Sequence, residues 1–350
     1  MEPLRVVSIG GWGHWAEVFD SLVGFDEARL VATAPAYAGE DLGGLRRHAL
    51  ATPDVQPFDD FKAMLHGVRP EVAVVSTRLD RIVPVAAAAA EAGCHLICEK
   101  PLALDVAGLG RLHEAVRRGG RRLLAMHTMR GLPAFLAARQ AVGDGRIGRV
   151  VAVNARKSYK WGTRPEWFGD RAVYGGTIPW IGIHALDMIR FVTGEWFASV
   201  AAAQGNLAHP DRPGCEDHAA IVARLSGGGS ATASIDFCRP AGAATHGDDW
   251  IRVVGSRGVL EANASQGWCR LIEGEAGATD LALPPPDPMF RNFLRCLRQG
   301  LPYALDTEEA FALSHVALLA RDAADRGAVV AVDRPAWAAS SQCAGNPSPK

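Results

Sequence analysis

The sequence predicts a two-domain α/β protein: a parallel sheet covered by helices on both faces, followed by an α+β domain on a mostly antiparallel sheet. Three observations lead there. At 350 residues the chain exceeds what one compact core usually holds. Val- and Leu-rich strands alternate with helical stretches through the first third of the chain. After Gly148 short strands follow one another without intervening helices.

The first strand, Arg5–Ile9, runs into Gly10-Gly11-Trp12-Gly13-His14-Trp15-Ala16. Gly11, Trp12, Gly13, His14 and Ala16 form a G-x-G-x-x-A turn: the first glycine permits the tight turn, and the second lets backbone approach a pyrophosphate. The small third residue lets the helix Trp15–Val23 pack on the strand. Backbone N–H groups at the start of that helix supply an anion site, so a nucleotide cofactor is expected. Further strands are expected at Leu30–Ala34, Val72–Ser76, His95–Cys98 and Arg122–Met126, with helices at Asp59–Leu65, Val83–Ala92 and Val106–Arg118. Asp105 reads as an N-cap. The second strand ends in Thr33-Ala34-Pro35, with neither an acid for an adenine ribose nor an arginine for a 2′-phosphate, so NAD and NADP both stay open. Glu99-Lys100-Pro101 follows the strand His95–Cys98 and puts titratable groups at its carboxyl end, where α/β sheets bind ligands.

In the second half, strands are expected at Val150–Ala155, Ala198–Gln204, Ala219–Leu225, Ala231–Phe237, Trp250–Gly255 and Gly258–Ala262. Gly227-Gly228-Gly229 marks a hairpin, because glycine enters positive φ freely. Met289–Gln299 and Thr307–Arg326 read as helices, the second with Glu308 and Glu309 in its first turn. Residues 156–168 are the candidate recognition segment: Arg164 and its neighbouring lysines can hold hydroxyls or a carboxylate, and Tyr159, Trp161 and Trp167 can pack on a ring. The competing reading is a solvated loop with aromatic anchors.

Composition narrows the classes. A formal net charge of −1 argues against a nucleic-acid partner. The apolar run Ile82–Ala90 is too short to span a bilayer, and Met1–Arg5 enters a strand without a charged and apolar leader, so no membrane and a cytoplasmic location are expected. The seven cysteines form no CxxC pair, so neither a disulfide framework nor a metal site is expected. The polar, proline-containing stretch 338–350 is expected to be disordered.

Several stretches together resemble the Gfo/Idh/MocA family of NAD(P)-dependent oxidoreductases. They are the glycine turn, Glu91–Ala103 with its Glu-Lys-Pro, Met129-Arg130-Gly131-Leu132-Pro133, Gly175–Asp187, Val253–Glu261 and Phe290–Leu294. The resemblance implies a Rossmann domain over 1–127 and a substrate and oligomerisation domain with an open antiparallel sheet over 128–337. It implies NAD or NADP in the cleft between them, a sugar or cyclitol substrate, and a homodimer or homotetramer. By position, Lys100 faces nicotinamide and substrate, His184 reaches the reacting hydroxyl, Thr77, Glu99 and Pro101 border the cofactor, and Arg130 marks the passage into the second domain.

The sequence departs from the family pattern at the acid four residues before the histidine, which is Trp180, and at Thr77-Arg78-Leu79 in place of Thr-Pro-Asn. An indole has one N–H donor and no basic atom, so Trp180 offers a flat wall for a sugar face and no proton relay. His184 is then favoured as the acid/base, with Lys100 polarising the substrate oxygen; the reverse assignment is also open. Asp187, at i+3 from His184, can orient its ring or touch substrate. The expected activity is hydride transfer to or from a CH–OH carbon. Redox-assisted glycoside cleavage and a catalytically silent regulator are the alternatives.

Overall fold

Six strands, β1 (Leu4–Ile9), β2 (Ala28–Ala34), β3 (Gln56–Pro57), β4 (Val72–Val75), β5 (His95–Cys98) and β6 (Leu123–Ala125), pair in parallel in the order β3-β2-β1-β4-β5-β6. The structure, a computed structural model, describes residues 2–303, 305 and 307–333. Every residue of β4 is buried, as a sheet covered on both faces requires. The covering helices of this half are α1 (Trp15–Leu22), α2 (Gly43–Arg46), α3 (Phe61–Val68), α4 (Ile82–Glu91) and α5 (Val106–Arg118). Asp105 caps α5 as expected, its carboxylate accepting the Gly108 N–H at 2.6 Å. Strand order reverses between β1 and β4, and the crevice outside their carboxyl ends is where such sheets bind ligands.

The second sheet has nine strands among the described residues: β7 (Val150–Lys160), β8 (Phe197–Gly205), β9 (His218–Leu225), β10 (Ser230–Arg239), β11 (Gly247–Gly255), β12 (Gly258–Asn263), β13 (Trp268–Glu273), β14 (Ala278–Asp280) and β15 (Val330–Ala331). Only β7 and β10 pair in parallel there. Burial alternates along β9 and β10, so one face packs and the other stays open. The packed face carries α6 (Pro133–Gly143), α8 (Ile183–Thr193) and α10 (Thr307–Arg326); α7 (Arg171–Tyr174) is a single turn, and α9 (Met289–Gln299) lies elsewhere. No described helix is long and apolar enough to cross a membrane.

Two differences from expectation bear on the site. Residues 156–160 continue β7, so the recognition segment begins on a strand and not in a loop. The chain also returns to its first half: Met289, Phe290 and Phe293 of α9 pack with Val6 and Phe19, while α10 gives Phe311 to the first domain's core and Val316 to the second's. A helix shared by two cores ties the two halves of the chain together. The stretch 338–350 lies outside the described residues.

Candidate active site

Three neighbouring strands end side by side: β1 into Gly10–Gly13, β4 into Ser76-Thr77, and β5 into Glu99-Lys100. The turn glycines are dictated by backbone and by crowding. Gly10 and Gly13 have φ of 89° and 98°, a region other residues enter at a cost. A Cβ on Gly10 would sit 2.6 Å from that of Thr77, and one on Gly13 would overlap the Glu99 carboxylate. Gly11, expected as the tight-turn glycine, is not at positive φ; it is small because the Asp41 carbonyl lies 2.8 Å from where its Cβ would be.

Glu99 is fully buried and ties β5 to this turn. It accepts the His14 N–H at 2.6 Å, the His14 ring at 2.8 Å and the Lys100 N–H at 2.9 Å. Burial alone would raise its pKa, but the His14 interactions and Lys100 hold it below the usual carboxylate value. Trp12 donates its N–H to the Ser76 carbonyl at 3.0 Å, and the Ser76 hydroxyl returns a bond to the Trp12 carbonyl at 2.7 Å. The N-cap residue His14 makes no side-chain cap on α1. Glu99 already takes the His14 N–H, so it is the N–H groups of the first turn of α1, which the His14 side chain leaves uncapped, that fit the diphosphate of a dinucleotide.

The end of β2 carries no acid, but one lies farther along the chain, at Glu40. Glu40 accepts the Ala36 N–H at 2.7 Å and the Thr77 hydroxyl, which places a half-buried carboxylate beside the glycine turn. Burial raises its pKa. Next to it the Arg78 guanidinium lies 4.7 Å over the Tyr37 ring. Thr77 therefore borders the crevice through its bond to Glu40, not through a free hydroxyl.

Lys100 and His184 come from different domains, and each is 1% exposed. Lys100 Nζ donates to the Trp180 carbonyl at 2.7 Å and sits 3.3 Å from the centroid of the same indole. Burial lowers its pKa from 10.5 to about 7; Glu99 opposes this, and Lys157 and Arg164 add to it. Burial, helped by Lys100, Lys157 and two histidines, drives His184 well below 6.5. Its ring centroid lies 5.9 Å from that of His14 and 6.4 Å from that of His127. Trp180 belongs to a single π-helical turn, Ile178–Gly182, a widening that recurs at functional sites. Its indole packs 4.9 Å from Trp12, which meets Trp167 edge-on at 4.6 Å, so an aromatic wall joins the glycine turn to the second domain.

Asp187 makes no hydrogen bond to the His184 ring, and its buried Oδ2 has no hydrogen-bond partner among the described residues. Its Oδ1 is clamped by Arg130 at 2.6 and 2.8 Å, with Glu309 on the same guanidinium at 2.7 Å. Tyr159 lies beneath the Lys157 ammonium, 4.4 Å from ring centroid to Nζ, and packs 5.2 Å from His246. Trp161 stacks on His209 at 4.0 Å, which occupies one of its faces. Arg164 lies over Phe237 and Phe168, at 4.8 and 5.6 Å.

Sequence reasoning missed Glu40, His127 and the Lys157–Asp249 pair. Lys157 is 1% exposed and bonds Asp249 at 2.6 Å, directly across the β7–β11 ladder. Its parity with Val153 and Ala155 along β7 marks it as inward-facing, a signal that was available. His127 is fully buried just past β6, its Nδ1 3.8 Å from Asp187 Oδ2, and burial lowers its pKa to about 4. Glu40 sits in a loop and carried no local signal.

Residues 43–127 match the family described as an oxidoreductase family with an NAD-binding Rossmann fold, and residues 135–261 match the GFO/IDH/MocA C-terminal domain. An oxidoreductase structure from Thermotoga maritima is 32% identical with a TM-score of 0.89, the match covering 94% of this chain and 100% of that one. A levoglucosan dehydrogenase in complex with NADH and L-sorbose shares the fold at 18% identity and a TM-score of 0.83, over 96% of this chain and 100% of that one. The inositol 2-dehydrogenase of Salmonella typhimurium is 26% identical over 198 residues, 56% of this chain and 55% of the relative, so the match spans about half of that protein. Lys100 lies within the matched Rossmann segment and His184 within the matched C-terminal one, and the chain belongs to the GFO/IDH/MocA oxidoreductase family, with an NAD-binding Rossmann domain.

Proposed function

We propose that the protein is an NAD-dependent dehydrogenase or reductase that interconverts a hydroxyl and a keto group on a sugar, cyclitol or related polyol. The observation that carries this reading is that Lys100 and His184, both buried and from opposite domains, are close enough for the lysine's charge to disfavour the histidine's, beside a glycine turn fit for a dinucleotide. Relatives that act on inositol and levoglucosan support the substrate class. When bound, the nicotinamide supplies or accepts the hydride.

The chain's own residues handle the proton and the geometry. A general base works best with a pKa near the operating pH, which favours Lys100, at about 7, over His184. In alcohol oxidation the neutral Lys100 amine takes the hydroxyl proton as the carbonyl forms, and in reduction its ammonium returns it. His184, neutral at physiological pH, holds the same oxygen by a hydrogen bond. Trp180 supplies an apolar wall and excludes water from the amine. Glu99 keeps the strand end bearing Lys100 locked to the glycine turn.

Glu40 favours NAD over NADP, because a carboxylate beside the ribose accepts bonds from its hydroxyls and repels a 2′-phosphate. The open sheet face, with Val151, Val222 and Ile272 exposed, is the surface proposed for a homodimer or homotetramer. The test is NADH formation by the purified protein across a panel of polyols and sugars, with the Lys100→Met and His184→Asn variants alongside. Loss of at least ~100-fold in turnover with NADH binding kept is expected for Lys100→Met. No turnover on any compound, or full activity in both variants, would refute the reading.

A further inference from the structure

Many charged groups around the site have a charged or hydrogen-bonding side-chain partner, and others end on backbone carbonyls, as Lys160 does on Ala241 and Ala243. Glu99 is engaged by His14, Asp249 by Lys157, and Asp187 together with Glu309 by Arg130. Nearby, Asp248 holds Arg156 and Glu216 holds Arg171. Arg164 has no carboxylate partner among the described residues. Its one protein hydrogen bond is a long 3.4 Å contact from Nη2 to the Lys160 carbonyl, and its buried Nε has no partner. The guanidinium carbon instead lies within cation–π distance of two aromatic rings, Phe237 at 4.8 Å and Phe168 at 5.6 Å.

A guanidinium stays charged at every physiological pH, and taking it out of water without a counter-charge is costly. Ring contacts hold it but use none of its N–H donors, and only Nη2 has a protein acceptor among the described residues, which suits a planar, doubly accepting anion. The position fits the reaction centre. Phe168 contacts the Trp180 ring at 6.3 Å between centroids, and Lys100 Nζ lies over that ring. Arg164 is also close enough to Lys100 to disfavour its charge. A sugar chain with its reacting carbon at Lys100 and His184 can lie along this wall and end at Arg164.

We propose that the substrate is an acidic polyol, a sugar acid whose terminal carboxylate is bound by Arg164, and not a neutral sugar or cyclitol. This rests on the dehydrogenase reading for the reacting end, but the binding of the acid can be tested separately. A carboxylate is favoured over a phosphate because one unpaired guanidinium matches a monoanion, and Lys157 is already neutralised by Asp249.

The experiment is isothermal titration calorimetry on the NADH-loaded protein. The probes are aldonates and uronates of gluco, galacto and manno configuration, their neutral alditols and aldoses, and glucose 6-phosphate. At least one acid is expected to bind ~10- to 100-fold more tightly than its neutral counterpart. Arg164→Met should bring that ratio close to one, and Arg164→Lys should recover only part of it, with NADH affinity reporting that both variants are folded. The proposal is overturned if no acid binds better than its neutral counterpart, if the preference survives Arg164→Met, or if the sugar phosphate binds tighter than every acid. An acid that binds through Arg164 without any NADH-linked turnover would refute the dehydrogenase reading and leave the carboxylate site standing.

Discussion

Replacing Lys100 by methionine removes an amine that burial has pushed from 10.5 to about 7. The consequence for stability has a definite sign. Below pH 7 the amine is protonated in both folded and unfolded chains, and the folded state carries the full cost of a buried charge. Between 7 and 10.5 the folded chain has lost the proton and the unfolded chain keeps it, so unfolding takes up a proton and stability rises with pH. The slope from this one group is at most about 1.4 kcal/mol per pH unit, and the whole window is worth about 5 kcal/mol. Methionine keeps the apolar stem's volume and drops the charge, so Lys100→Met should be more stable than the parent by several kcal/mol at pH 6. That advantage should shrink by about 1 kcal/mol per unit from pH 7 to pH 9. Urea unfolding of the apo-protein, followed by tryptophan fluorescence at pH 6, 7, 8 and 9 for both chains, measures it. Stability curves that run parallel across that range would show that Lys100 does not titrate there, and the assignment of Lys100 as the base would fall with them.

If Lys100 is the base, kcat/KM for alcohol oxidation rises through a pKa close to 7; His184→Asn keeps that inflection at reduced activity, whereas an inflection lost with His184 would give the histidine the role. Gly13→Ala places a methyl group in the Glu99 carboxylate at a φ of 98°, and should cost about 2 kcal/mol or more in stability and weaken NADH binding, read by thermal unfolding and fluorescence titration. Glu40→Gln removes the charge proposed to repel a 2′-phosphate, so the ratio of NADPH to NADH affinity should rise by ~10-fold or more, and an unchanged ratio would remove Glu40 from cofactor choice. Arg130→Met leaves Asp187 and Glu309 without their shared cation and should destabilise the protein by about 3–5 kcal/mol in urea unfolding, while an effect below about 1 kcal/mol would mean that the pair contributes little.

Sequence alone determined what depends on local pattern. The β1–turn–α1 unit, the buried strands of the first sheet, the Asp105 cap and the helices Met289–Gln299 and Thr307–Arg326 all follow from period, glycine placement and capping over a few residues. Lys100 and His184 were singled out from a strand end, a glycine-rich lead-in and the position that the family resemblance gives them, and the structure shows both to be buried. Tertiary structure decided which groups meet. Asp187 is one helical turn from His184 in sequence, but Arg130 is the nearer cation in space and takes it. Glu40, Thr77 and Gly10 converge from three segments, and Lys157 finds Asp249 only because β7 and β11 are adjacent in the sheet. The same holds for α9 and α10, which return from the far end of the chain to close the first domain's core. Periodicity reports a residue's face on its own element, whereas a pKa or an unpaired charge depends on what the other elements place against that face. That is why Lys100 could be named from the chain, while the burial that lowers its pKa to about 7, and Arg164 without a carboxylate partner along the same aromatic wall, appeared only in the folded protein.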